Sequence, residues 1–184
     1  MTQPNLRRLL VLAHLYLAAL VAPAFLLVGV TGGLYVAGVK GDVSSTPLSL
    51  SPSAALDLES PTLADDVRAL LKAEGVDVDV DYVRTRGETA YTRPTSKPHV
   101  KFDVGEDGLS ATLNKPDLAY AMMELHKGHG PVAFRTYQIA VGTALTFVVI
   151  GGIAVGFLAP AFRRQTIVAS GVGLAAFALL AFIL

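Results

Sequence analysis

The chain has 184 residues, of which 52% are hydrophobic and 16% charged, with no Cys, no Trp and a formal charge of zero. A soluble domain carries about 25% charged residues, so the deficit is large. The composition excludes a disordered chain, a disulfide-stapled domain and a thiolate metal site, and the zero net charge gives no footing for nucleic acid.

The charges are segregated. All 15 acidic residues fall between Asp42 and Glu124, and the ten basic residues from Lys40 to Lys127 leave this stretch with a net −5. Arg7, Arg8, Arg135, Arg163 and Arg164 make up +5 with no acid among them. The chain therefore reads as a water-soluble acidic middle between apolar ends.

In chain order, a basic start at 1–8 precedes 31 residues without a charge, 9–39. Residues 136–162 and 165–184 are two further uncharged runs, of 27 and 20 residues. A helix needs about 20 apolar residues to cross the hydrocarbon. Spans are predicted at 9–39, 132–162 and 166–184, with an outer region at 40–131 and a cytoplasmic turn at 163–165. The first run is about twice the length of a signal-peptide apolar region, so a retained anchor is expected. Arg7 and Arg8 before the first span, and Arg163 and Arg164 between the second and third, place both pairs in the cytoplasm by the positive-inside rule. The N-terminus is then cytoplasmic, and residues 40–131 and Leu184 are outside. Pro23 removes one helical hydrogen bond and is expected to kink the first span. Gly29, Gly33 and Ala37, and also Gly152 and Gly156, have the small-residue spacing that lets helices approach closely. Packing within the three-helix bundle is the expected use, with a homodimer through Gly29, Gly33 and Ala37 as the alternative.

The outer region reads as a small α+β domain. Residues 61–75 form a helix pattern, with Pro61 at its start, Asp65 and Asp66 in its first turn and Gly75 at its end. Val76, Val78, Val80 and Tyr82 alternate with Asp77, Asp79 and Asp81, the period of a strand with a wet acidic face. The aspartate spacing resembles the start of a calcium loop, but Tyr82 stands where such a loop requires glycine. A second short strand is expected at 89–93. Strands at 99–104 and 109–113 flank the Gly-Glu-Asp-Gly turn at 105–108. A short helix from 118 to 127 then leads into the second span.

The order of parts is similar to the PepSY-associated transmembrane family of bacterial inner-membrane proteins, in its short three-span form. The resemblance rests on His14 and Tyr16 near the inner end of the first span and on Gly29-Val-Thr-Gly-Gly-Leu-Tyr35 near its outer end. It rests also on Glu124-Leu-His126-Lys-Gly128-His-Gly130 before the second span. It implies a three-helix membrane protein with a PepSY-like α+β domain inserted between spans one and two, in the bacterial cytoplasmic membrane. It implies a Thr-Gly turn closing the first span. Longer members of the family include reductases in which intramembrane histidines hold b-type haem and pass electrons toward iron-siderophore complexes. PepSY modules elsewhere bind or restrain protein partners.

Four histidines bear on these alternatives. His99 is expected at a surface or edge. His14 lies about 8 Å inside the first span, where an ionisable side chain marks a functional candidate. His126 and His129 would share a helix face if the helix continued, but Gly128, Gly130 and Pro131 point to a break. Across a core of about 30 Å, His14 is about 20 Å or more from the outer pair, too far for one iron in one chain. Residues 136–184 hold neither His nor Met. No Cys nucleophile, H-E-x-x-H zinc motif or phosphate loop is present. The expected function is a non-catalytic membrane protein whose outer domain binds a protein partner or joins a larger membrane complex. The alternative is a haem b electron-transfer component using His14, His126 and His129.

Overall fold

The computed structural model describes residues 3–106 and 108–183, with side chains from Arg8 onward. Asp107 of the expected turn, the Arg7 side chain and Leu184 lie outside the described residues. The elements are α1 (Gln3–Val36), β1 (Val43–Leu48), α2 (Leu63–Ala73), β2 (Tyr82–Arg86), β3 (Thr89–Arg93), β4 (His99–Gly105), β5 (Gly108–Pro116), α3 (Leu118–His126), α4 (Val132–Leu158) and α5 (Arg163–Phe182).

Helices α1, α4 and α5 are each long and apolar enough to cross a membrane, as in a multi-pass membrane protein. None of the most apolar stretch of α5 is buried inside the protein, and only 6% of that of α4. Water would have to wet that surface, whereas lipid removes it from water at no such cost. The chain divides into two compact units: residues up to Phe25 together with Ala140 onward, and Leu26–Ile139.

The first unit is helical. Val21 and Ala24 of α1 pack on Val141 and Ala144 of α4, with Leu17 and Phe25 alongside. Gly156 faces Thr166 of α5 so closely that an added methyl would lie 2.8 Å from Thr166 Cγ2, so glycine is what permits this approach. In contrast, Gly29 and Gly33 of the other small-residue series face open space. Arg163 and Arg164 open α5, and Arg163 Nε donates to the Phe157 carbonyl at 2.9 Å.

The second unit holds a five-stranded antiparallel sheet in the order β1-β5-β4-β3-β2. Alternation along the strands gives it two unlike faces. Ala90, Val100, Phe102 and Ala111 point to one side, where Leu63, Val67 and Leu71 of α2 cover them as the core. Residues of opposite phase, including Arg84, Tyr91, Arg93, His99 and Lys101, form a polar face. Gly75, at φ +71°, ends the α2 segment as a left-handed glycine cap.

Several expectations are corrected. The strand read at 76–82 begins only at Tyr82. Val76, Val78 and Val80 do pack on the core, which produced the alternation, but their backbone has no neighbouring strand to pair with. Asp79 and Asp81 are more than a wet face. Asp79 pairs with Lys97 at 2.7 Å, and Asp81 Oδ2 accepts from the first backbone N–H of α4, that of Val132, at 2.9 Å. His99 is not at a surface: it lies in β4 between two neighbours and is 4% exposed. The expected Thr-Gly turn is helical, because α1 runs on through Gly33 to Val36. The edge strand β1 was not anticipated.

Candidate functional site

The segment from Glu124 to Pro131 is a turn held by hydrogen bonds from several sides. Asp117 caps α3 by accepting from Tyr120 N at 2.7 Å, and its other oxygen accepts from Asp42 N at 3.0 Å. Helix α3 ends at His126. Gly128 takes φ +77°, and His129 N then returns to the Glu124 carbonyl at 2.9 Å. The His129 carbonyl accepts from Thr95 N at 3.1 Å, and Gln138 Nε2 donates to the Leu125 carbonyl at 2.6 Å. Polar groups from the β3–β4 connection and α4 thus converge on one turn.

Glu124 is its centre. The side chain is 4% exposed and accepts from Thr95 Oγ1 at 2.5 Å and from His129 Nδ1 at 2.7 Å. Lys127 Nζ forms an ion pair with the other oxygen, and Arg93 Nη1 lies 3.6 Å away. Burial would raise the carboxyl, but the hydrogen bonds from Lys127, Thr95 and His129 outweigh it and hold it below the ordinary range. Because a carboxylate only accepts, His129 carries its proton on Nδ1.

His126 is fixed differently. The Thr31 hydroxyl donates to the Leu27 carbonyl at 2.5 Å, so it accepts from His126 Nδ1, 2.7 Å away. Gly32 lies beside the ring, 3.5 Å from Cε1 at its missing Cβ. His14 is held elsewhere, against Gly151 and Gly152, and its Nδ1 is buried without a hydrogen-bond partner. Each of the three histidines therefore has its own neighbours, and His126 and His129 share no helix face. Among the described residues no group of three or more potential metal ligands is gathered.

Above the turn, the polar face of the sheet forms a cleft of about 560 Å³. Arg84, Arg86, Arg93 and Lys127 line it, together with Tyr91, Thr95, His99 and Tyr120, and Glu124 is the one carboxylate lining it among the described residues. Four cations and one anion meet here, in a region that is acidic as a whole. Arg84 and Arg86 are exposed, and their side chains make no ion pair or hydrogen bond among the described residues. Arg93 is 12% exposed, and its Nε is buried without a partner. This basic cleft was missed from sequence. The signal was the period-two placing of Arg84 and Arg86, and of Tyr91 and Arg93, on one strand face.

His99 gives the cleft floor a pH dependence. Burial holds its imidazole below the ordinary value, while the Lys97 carbonyl accepts from Nδ1 at 3.0 Å. A histidine with a lowered folded-state value is less protonated folded than unfolded, so stability falls as pH drops from the ordinary imidazole range toward the lowered value. Melting of the full chain between about pH 7 and pH 5 is expected to show this loss, and His99→Gln to flatten it. An unchanged slope in the variant would assign the dependence to another group.

No protein-family model, no characterised protein and no solved structure matches the chain.

Proposed function

We propose that the protein is a non-catalytic binding module of the bacterial cytoplasmic membrane, in which a PepSY-like outer domain holds a protein partner or docks an accessory subunit on a larger complex. The N-terminus is cytoplasmic and the C-terminus periplasmic in this reading, which follows the arginine pairs before the first span and between the second and third. The observation that carries it is the basic cleft, whose four cations outnumber its one carboxylate. Unpaired arginines at a concave surface favour an anionic partner and reject a cationic one. Glu124 and His129 are engaged in holding the turn, which supports binding over acid–base chemistry.

The experiment is a photo-crosslinker placed at Tyr91 in the intact membrane protein. Expected is a discrete adduct with an extracytoplasmic protein. An adduct with lipid alone, or none at any expression level, contradicts the reading.

A second reading, a haem b electron-transfer component, is favoured by the unpartnered, buried His14 Nδ1. His126 and His129 each commit Nδ1 to a protein group, so Nε2 would be their ligating atom. The visible spectrum of the purified chain, expressed with haem supplied, separates the readings. A colourless protein is expected, and a reduced b-type band lost in His14→Ala would establish the second.

A further inference from the structure

We propose that the partner contributes an extended acidic segment that adds as a sixth strand to the open edge of β2, beside Arg84 and Arg86 at the rim of the cleft. This rests on the binding reading above and specifies its ligand. Strand β2 ends the sheet, and residues 83–86 have no backbone partner other than β3 among the described residues. The other edge, β1, carries Pro47, which cannot donate to an added strand. Strand β2 has no proline, so a row of its N–H and C=O groups faces outward, and such an edge is a template for a further strand.

The side chains select what can be added. Arg84 and Arg86 lie on one face, about 7 Å apart at the strand rise, and both are unpaired. Val83, of opposite phase, packs against the core on the other face. An added strand therefore places alternate residues beside two guanidinium groups and the intervening ones beside the apolar side. Acidic and β-branched residues in alternation satisfy both faces. A second copy of β2 does not, because its arginines would meet these arginines. An anionic lipid headgroup satisfies the charges but leaves the row of backbone groups unpaired.

The test uses the full chain in nanodiscs of phosphatidylcholine, at low salt, with a fluorescent eight-residue peptide alternating glutamate and valine. Anisotropy is expected to show saturable binding that weakens with salt. Replacing the glutamates by glutamine, or using the Arg84→Ser/Arg86→Ser variant, is expected to weaken it about tenfold, with Arg84→Lys/Arg86→Lys retaining most of it. Both arginines are exposed, and a melt confirms that the variants fold. Two further peptides carry N-methyl groups on all glutamates or on all valines. In an added strand only one of these phases points its N–H groups at β2, so one peptide is expected to lose binding and the other to keep it. Equal binding of both overturns strand addition while leaving an anion-binding cleft. Absence of peptide binding overturns the proposal, as does arginine-dependent binding only to phosphatidylglycerol-containing nanodiscs. A persisting Tyr91 adduct in either case would leave the binding reading standing.

Discussion

Glu124→Ala is expected to cost the sheet-bearing unit about 3 kcal/mol, because removing one partner of a buried ionic cluster leaves the others uncompensated. The carboxylate gathers Thr95, His129 and Lys127, with Arg93 close by. Lys127 and His129 are more than a third exposed, so water recovers part of their loss, and the figure is set at the low end of the range for buried pairs. Arg93 and Thr95 have no such recourse, since one is 12% and the other 5% exposed. Glu124→Gln keeps the shape but loses the charge, and an intermediate cost is expected. The carboxyl is held below its ordinary value, so its contribution is complete above the ordinary carboxylate range and is lost as pH falls through the lowered value. Denaturant melts with hydrogen exchange over residues 95–129 read both effects. A loss below about 1 kcal/mol for the alanine variant would show that the cluster does not hold the turn.

Gly41→Ala is the second large effect. Gly41 has φ +74°, where a side chain is strained. A Cβ there would lie 2.2 Å from Tyr120 N, 2.6 Å from Asp117 Oδ1 and 2.8 Å from Ala119 C. Two of these atoms are backbone, and the third belongs to the cap of α3, so the methyl group displaces the cap itself. The strained conformation costs about 1 kcal/mol and the disturbed cap about 1 kcal/mol more, before any further repacking. Gly75→Ala is the control. Gly75 has a similar φ, +71°, but nothing within 4 Å of its missing Cβ. Its substitution is expected to cost about 1 kcal/mol from conformation alone. Equal melting shifts in the two variants would show that the contact at Asp117 and Tyr120 carries no energy.

The span-length helices were legible because lipid imposes a demand that sequence expresses directly: uncharged runs of sufficient length. Helix α2, strand β3 and the β4–β5 pairing were legible for a related reason, since each carries its own periodicity and turn residues. The strand near 80 was misread because Val76, Val78 and Val80 alternate in burial without pairing. Burial has a period, but a ladder also needs a neighbour, and the first bond to β3 comes at Asp81, 2.7 Å from the Arg93 carbonyl. Strand β1 was invisible because Val-Ser-Ser-Thr-Pro-Leu shows no apolar alternation, and its pairing is supplied by β5, more than 60 residues on.

The candidate site was legible only in part. The Glu-Leu-His-Lys-Gly-His-Gly motif stood out, but not what it touches. His126 meets Thr31 across 95 residues of sequence, and Glu124 meets Thr95 across 29. The cleft needed the register that sets Arg84 opposite Tyr91, together with the fold that brings Lys127 to the same surface. Local pattern contains neither. Net charge hides the cleft in the same way: a region with net −5 presents a surface on which cations prevail.

The basic cleft as partner-binding surface is tested most directly by the yield of the Tyr91 crosslink in intact membranes, compared between the native cleft and Arg84→Glu/Arg86→Glu. The account predicts a discrete protein adduct that charge reversal abolishes while the variant remains folded and membrane-inserted. An adduct of undiminished yield in the reversed cleft would contradict it.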